Sequence, residues 1–382
     1  MEKTIDECFF QIQNGANIKQ GEADGGFPIT RIETIANDKF NRDRMGYAGI
    51  TDIGKYESFI LEDGDLLMSH INSVQYLGRT VLYEKQENET IIHGMNLLRL
   101  KARKDIIVPA YARYCFYALP FRRQLAKIIK KSVNQASFAV TDLKKIKLKV
   151  PEIEEQSTVV DKLDKIRDII DKRTEEIKQL DMLIKARFVE MFGLPVSNSK
   201  EWPTEPMSDV APIVNYCGEF DNEVWLLNLD MIEAQTGRVI DYLMVSTSEI
   251  GNSTCTFDES NVLYSKLRPY LNKVVIPDRC GYATSELVPL KPVKSKLNRE
   301  YLTFMLRSDE FVDMVTEKVV GAKMPRVSMG DFKKFDVPIP PMSLQNRFTE
   351  FINQVDKSKV VVQKSLDETQ TLFDSLMQKY FG

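Results

Sequence analysis

The stretch Asp142-Leu143-Lys144-Lys145-Ile146-Lys147-Leu148-Lys149-Val150-Pro151-Glu152-Ile153-Glu154-Glu155-Gln156 decides the architecture, because a similar stretch returns 189 residues later. The second is Asp331-Phe332-Lys333-Lys334-Phe335-Asp336-Val337-Pro338-Ile339-Pro340-Pro341-Met342-Ser343-Leu344-Gln345. Pro151 falls on Pro340, Gln156 on Gln345, Leu183 on Leu372 and Phe192-Gly193 on Phe381-Gly382, without a gap in the register. Upstream the likeness is looser. Asp65-Leu66-Leu67-Met68-Ser69 resembles Asn261-Val262-Leu263-Tyr264-Ser265, and Leu100-Lys101, Tyr111 and Phe121 return as Leu290-Lys291, Tyr301 and Phe311. An internal repeat dictates the architecture before any local reading does. The chain therefore reads as globular half, long segment, globular half, long segment. Such a pseudo-two-fold object suits a two-part target or two copies of one partner; duplication that merely enlarged a fold is the plainer alternative.

The long segments read as helices. Proline is tolerated only in a helix's first turn, so Pro151 or the residues just after it open the first one. From there apolar positions recur every seven residues: Val159, Ile166, Arg173, Leu180, Arg187 in one series and Leu163, Ile170, Ile177, Ile184, Met191 in the other. This is the two-position seam of a coiled coil. The copy supplies Phe348, Val355, Val362, Thr369, Leu376 and Ile352, Lys359, Leu366, Phe373, Tyr380. Each seam is polar where the other is apolar. The expectation is two long antiparallel coiled-coil helices packed through Leu163, Ile166, Ile170, Ile177, Leu180, Ile184, Ile352, Val355, Val362, Leu366 and Phe373. Forty residues at 1.5 Å each give a spacer of about 60 Å.

The globular halves read as mixed α/β (α+β) domains. Leu66-Leu67-Met68 and Val262-Leu263-Tyr264 follow turn signals and are expected to be strands, as is Lys273–Asp278. The stretches 109–131 and 298–320 are expected to be helical. Polar loops with basic and aromatic residues lie between them. The richest runs Ser265-Lys266-Leu267-Arg268-Pro269-Tyr270-Leu271-Asn272-Lys273, opposite Ser69-His70-Ile71-Asn72-Ser73-Val74-Gln75-Tyr76-Leu77-Gly78-Arg79. Arg and Lys suit phosphates and guanine edges, and Asn and Gln suit adenine. Ser69, Asn72, Gln75, Tyr76, Arg79, Lys266, Arg268, Tyr270, Asn272 and Lys273 are the candidate DNA contacts, although a solvated polar loop has the same composition.

Composition narrows the class. The net charge of −3 hides a segregation: residues 79–131 hold 12 Lys/Arg against 4 Asp/Glu, and residues 1–78 hold 7 against 13. Five scattered cysteines without a C-x-x-C pair and only two histidines suggest neither a disulfide framework nor a zinc site. No run is apolar enough for a membrane helix, and the charged start Met1-Glu2-Lys3 lacks a signal peptide's apolar core, so a cytoplasmic protein is expected. Glycine-rich phosphate loops, nucleophile elbows, H-E-x-x-H helices and the Asn-Pro-Pro-aromatic grip on a flipped base are missing, which argues against a catalytic centre.

The repeated pattern of strand, proline, four residues, glutamine and long helix resembles the specificity subunit of a Type I restriction-modification system. The stretches 262–273 and Gly321-Ala322-Lys323-Met324-Pro325 are similar to family sequences as well. The resemblance implies a target-recognition domain at 1–150, a long helix at 151–193, a second recognition domain at 194–339 and a second helix at 340–382. It implies a non-catalytic subunit that reads a bipartite duplex DNA target. Two methylation subunits using S-adenosylmethionine would dock on it, joined by restriction subunits using ATP and Mg. The alternatives are a fused methyltransferase, which would need a cofactor-binding domain, and a non-catalytic protein-interaction scaffold with two globular heads on a coiled coil.

Overall fold

A computed structural model describes residues 1–21, 26–132, 135–319 and 324–382. Its principal helices are α1 (Pro109–Tyr117), α2 (Leu119–Ile128), α3 (Ile153–Phe192), α4 (Arg299–Leu306), α5 (Asp309–Glu317) and α6 (Met342–Phe381). The helix α3 opens two residues after Pro151. It stops where Gly193 turns left-handed (φ 78°), a conformation that costs glycine nothing. Along α3 and α6 every position of the heptad series is buried or half-buried, whereas Ile169, Met182, Leu183, Val189, Val360, Val361 and Leu372 are exposed.

The chain forms two compact units. Unit 1 comprises Met1–Arg173 and Ser365–Gly382, and unit 2 comprises Thr174–Lys364. Each long helix thus begins in one unit and ends in the other, so the units cut across the segmentation read from sequence.

In unit 1 an antiparallel sheet runs in the order Phe9–Asn14, Leu97–Ala102, Leu66–Ser69, Thr80–Leu82. Its alternate residues Leu66, Met68, Leu98 and Leu100 join Tyr111, Phe116 and Phe121 of α1 and α2 in one core. Val159, Val160 and Leu163 of α3 enter this core, and so do Phe373, Leu376, Met377, Tyr380 and Phe381 of α6. The beginning of α3 and the end of α6 therefore share one core. The Phe381 ring lies 5.0 Å from that of Tyr111.

Unit 2 repeats the plan with the helix ends exchanged. The strand Val262–Ser265 lies between Val274–Val275 and Leu287–Leu290. Tyr301, Phe311 and Phe332 pack with Ile184, Phe188 and Phe192 of α3 and with Phe348, Ile352 and Val355 of α6. Phe192 meets Tyr301 at 4.8 Å, the counterpart of Phe381 on Tyr111. Polar seam positions find partners here: Lys359 bridges Asp181 at 2.6 Å, and Arg187 lies over Phe351. A further mixed sheet, ordered Leu243–Ser246, Glu223–Leu227, Gly281–Thr284, Thr254–Phe257, has its own core around Trp225 and Phe257.

The repeated glutamine explains itself in this frame. Gln156 is fully buried; its Oε1 accepts the Val108 N–H at 2.8 Å, and its Nε2 donates to the Ile106 and Pro151 carbonyls. Gln345 is equally buried and does the same with the Asn298 N–H and the Lys296 and Pro340 carbonyls. A buried amide must be paired, and each glutamine pairs by stitching the entry of α1 or α4 to the proline ahead of its own long helix. Tyr111 and Tyr301 add matching hydroxyl bonds to the Lys149 and Pro338 carbonyls.

Three expectations need correction. The stretch 109–131 is not one helix. Ala118 is extended (φ −70°, ψ 148°), Pro120 then sits in the first turn of α2, and Lys130–Lys131 is a strand. The stretch 298–320 breaks similarly, where Ser308 caps α5 through the Phe311 N–H, and Val320 lies outside the described residues, as do Gly321, Ala322 and Lys323. Of Lys273–Asp278 only Val274–Val275 is strand. Among the described residues, no helix is long and apolar enough to cross a membrane.

Candidate nucleic-acid interface

In unit 1 the polar loop leaves the end of the sheet strand Leu66–Ser69. Ile71–Asn72 forms a short strand, and Val74–Tyr76 makes a single 3-10 turn with all three residues exposed. The base of the loop is pinned to α2. Arg122 Nη1 donates to the Leu77 carbonyl at 2.7 Å, and Gly78 (φ 71°) approaches so closely that a Cβ there would lie 2.4 Å from Leu125. Burial lowers the Arg122 pKa. It is a positioning group, and the tip it positions is Val74-Gln75-Tyr76.

The candidate residues divide accordingly. Gln75 and Tyr76 are exposed. Asn72 is half-buried and accepts the Ser73 N–H. Ser69 is buried and takes a long hydrogen bond from Asn72. Arg79 stacks over Tyr76 at 4.8 Å while its Nε meets Asp38 at 3.1 Å, so its charge is already countered. Its neighbour His70 is buried, and burial lowers its pKa, which keeps it neutral near pH 7.

In unit 2 the corresponding loop follows Val262–Ser265. Arg268 is exposed with a left-handed backbone (φ 52°), Tyr270 is exposed at the tip of the Pro269–Leu271 turn, and Lys266 is half-buried. Asn272 and Lys273 belong to the frame instead. Asn272 is buried and donates from Nδ2 to the Arg307 carbonyl at 3.0 Å. Lys273 Nζ donates to the Leu229 carbonyl at 2.6 Å, and burial lowers its pKa. Residue type suggested Ser69, Asn272 and Lys273 as DNA contacts; Ser69 and Asn272 are buried, and Asn272 and the half-buried Lys273 donate to backbone carbonyls.

Sequence reading missed what lies beside the unit 1 loop. Strand Ala136–Ser137 pairs with Ile71–Asn72 on one side and with Lys130–Lys131 on the other. Nothing in a two-residue strand announces itself, but the acid-free sequence around it does.

The arrangement offers hydrogen bonding and charge. Three of the five carboxylates lining a 690 Å³ cleft in unit 1 are tied to cations: Asp164 to Arg113 at 2.9 Å, Asp171 to Lys39 at 2.7 Å and Asp38 to Arg79. Among the described residues, no group of three or more His, Cys, Asp or Glu is placed to hold a metal ion.

Comparison with known proteins agrees with this frame. Residues 2–180 and 245–368 match the model of the Type I restriction modification DNA specificity domain. The chain belongs to that family. It is similar to the putative type I restriction enzyme MjaX specificity subunit of Methanocaldococcus jannaschii, 26% identical over 390 residues, which cover 96% of this chain and 89% of that protein. The Type I restriction enzyme EcoDI specificity subunit of Escherichia coli is 22% identical over 282 residues, 63% of this chain and 62% of that one. The fold matches the crystal structure of the Type I restriction-modification system S subunit from M. genitalium with a TM-score of 0.58 at 12% identity, covering 100% of this chain and 96% of that one. A solved chain from the type I R-M system matches at a TM-score of 0.55 and 15% identity, covering 99% and 96%.

Proposed function

We propose that the chain is the non-catalytic, sequence-reading subunit of a Type I restriction-modification complex acting on cytoplasmic DNA. Its two units each read one half of an interrupted duplex target. The observation that carries this reading is the specificity-domain match in both halves, over residues 2–180 and 245–368; the equivalence of the units, down to Gln156 and Gln345 making the same three hydrogen bonds, fits it. Gln75 and Tyr76 in one unit and Lys266, Arg268 and Tyr270 in the other are the contacts the surface favours. Tyr supplies an apolar face with a polar end, and Gln and Arg supply base-edge donors. Two methylation subunits using S-adenosylmethionine dock on the chain, and restriction subunits using ATP and Mg join them. A protein-only scaffold explains the duplication equally well but not the family match.

The test is to co-express the chain with the neighbouring adenine methyltransferase subunit and map modified adenines across the host genome by single-molecule sequencing. An interrupted two-part motif that vanishes when this chain is omitted establishes the role. A stable complex that leaves no motif would return the chain to the scaffold reading.

In this proposal α3 and α6 act as the ruler between half-sites. Inserting one heptad after Lys172 and another after Val361 lengthens both helices by about 10 Å. The spacer in the methylated motif should then grow by about three base pairs. An unchanged spacer in an assembled complex would end the ruler role.

A further inference from the structure

Between Asp105 and Asp142 the chain has no Asp or Glu but six cations: Arg113, Arg122, Arg123, Lys127, Lys130 and Lys131. Two of these are committed internally, Arg113 to Asp164 and Arg122 to the Leu77 carbonyl. Arg123, Lys127, Lys130 and Lys131 are exposed and form no ion pair among the described residues. The strand register then places the last two. Lys130 is opposite Ser137 and Lys131 opposite Ala136, while Ser137 and Ala136 are opposite Ile71 and Asn72. The lysines therefore form the outer strand of a three-stranded ribbon whose other edge leads straight into Val74–Tyr76. A strand spacing of about 4.8 Å puts them two strands, about 10 Å, from Ile71–Asn72, the strand that runs into the tip.

Unit 2 has the opposite chemistry at the equivalent helix. Phe121 of α2 corresponds to Phe311 of α5, yet α5 carries Asp309, Glu310, Asp313 and Glu317 and no Lys or Arg. Some of that negative charge serves the unit itself: Glu310 accepts the Val196 and Ser197 N–H groups, and Asp309 meets Lys185 at 3.5 Å.

We infer that Lys130 and Lys131 are a backbone-phosphate grip beside the reading loop of unit 1. Uncommitted ammonium groups on an edge strand suit phosphates: as point charges they bind without reading sequence. The adjacent tip supplies the reading. At the equivalent helix of unit 2 the acidic surface of α5 repels the same backbone. The inference rests on the DNA-reading proposal and adds to it where the electrostatic part of the affinity originates.

The experiment measures binding of the assembled complex of this chain and its methylation subunits to two duplexes over a range of KCl concentrations. One duplex carries the mapped motif and the other a scrambled one. Each phosphate neutralised contributes about 0.9 to the slope of log affinity against log salt. Lys130→Gln with Lys131→Gln is expected to lower the slope by about 2 and weaken binding to both duplexes in similar proportion. The methylated motif stays the same, and Lys130→Arg with Lys131→Arg retains the slope. An unchanged slope in the glutamine variant overturns the inference, as does a changed motif, which would make these residues readers of sequence. A wild-type complex that does not distinguish the two duplexes overturns the DNA-reading proposal and this inference with it.

Discussion

Unit 1 and unit 2 share a frame and differ in what they hang on it. Gln156 and Gln345, Tyr111 and Tyr301, and Phe381 and Phe192 are interchangeable in role: each trio ties a short helix, a strand and the far end of a long helix together. By contrast α2 is basic where α5 is acidic, and unit 2 carries a four-stranded mixed sheet around Trp225 where unit 1 carries the three-stranded sheet Gln20–Gly21, Gly46–Ala48, Pro28–Ile29. The difference teaches where selection of a target can act. Residues that complete the buried frame are fixed by hydrogen-bond and packing demands common to both halves. The additions have small cores of their own, and their packing demands are not shared between the halves.

The largest effect expected from breaking the symmetry comes from shortening α6. Removing residues 365–382 takes Phe373, Leu376, Met377, Tyr380 and Phe381 from the core of unit 1 and no residue from the core of unit 2. Loss of a buried aromatic alone costs about 3–5 kcal/mol, so the five together exceed what a domain can spare. Hydrogen exchange should lose protection in α1 and in Lys147–Lys149 while α4 keeps its own. Retained protection in α1 would show that unit 1 closes without the last helix.

A smaller effect tests the sameness of the frame. Gln156→Ala and Gln345→Ala each strand one buried N–H and two carbonyls, a loss of about 3 kcal/mol apiece. Urea denaturation of the two variants should give losses alike within about 1 kcal/mol. A clear inequality would mean that the two stitches, though alike in geometry, do unequal work.

The smallest effect lies in an addition that unit 1 owns. Glu89 receives Arg42 Nε and Nη2 at 2.8 and 2.7 Å, and that charged hydrogen bonding holds its pKa near 2, below the ordinary 4.5. Because the folded value is depressed, the pair stabilises fully above pH 4.5, and this contribution fades as pH falls towards 2. The pair is partly solvated, so its worth is under about 1 kcal/mol. Glu89→Gln should flatten that part of the acid limb in thermal melts, and an unchanged limb would contradict it.

The long helices and the repeat were legible because a seven-residue period and a matching register are properties of the sequence itself. The importance of Gln156 was legible from the repeat, but its partner Val108 was not, since the two lie 48 positions apart and only the fold brings them together. Site residues were less legible because residue type does not reveal exposure. Tyr76 and Tyr270 emerge on turn tips, whereas Asn272 and Lys273, one and two residues beyond a turn of the same kind, point into bonds with Arg307 and Leu229. Lys130 and Lys131 were obscured for another reason. They follow an amphipathic helix closely enough to be read as its last turn, and only their pairing with Ser137 and Ala136 shows that the chain has already changed direction.

The seat of Phe381 beside Tyr111 also sets an order of events during synthesis. The first unit to leave the ribosome is the last to be finished, because a segment made after all of unit 2 must come back to close it. Until then its apolar wall, Tyr111, Val159 and Leu163 included, stays open, and contacts this distant along a chain form slowly. Chains cut short within the final helix would reach the cell with a finished second unit and an unsealed first one, a state that quality-control proteases can distinguish from the complete protein.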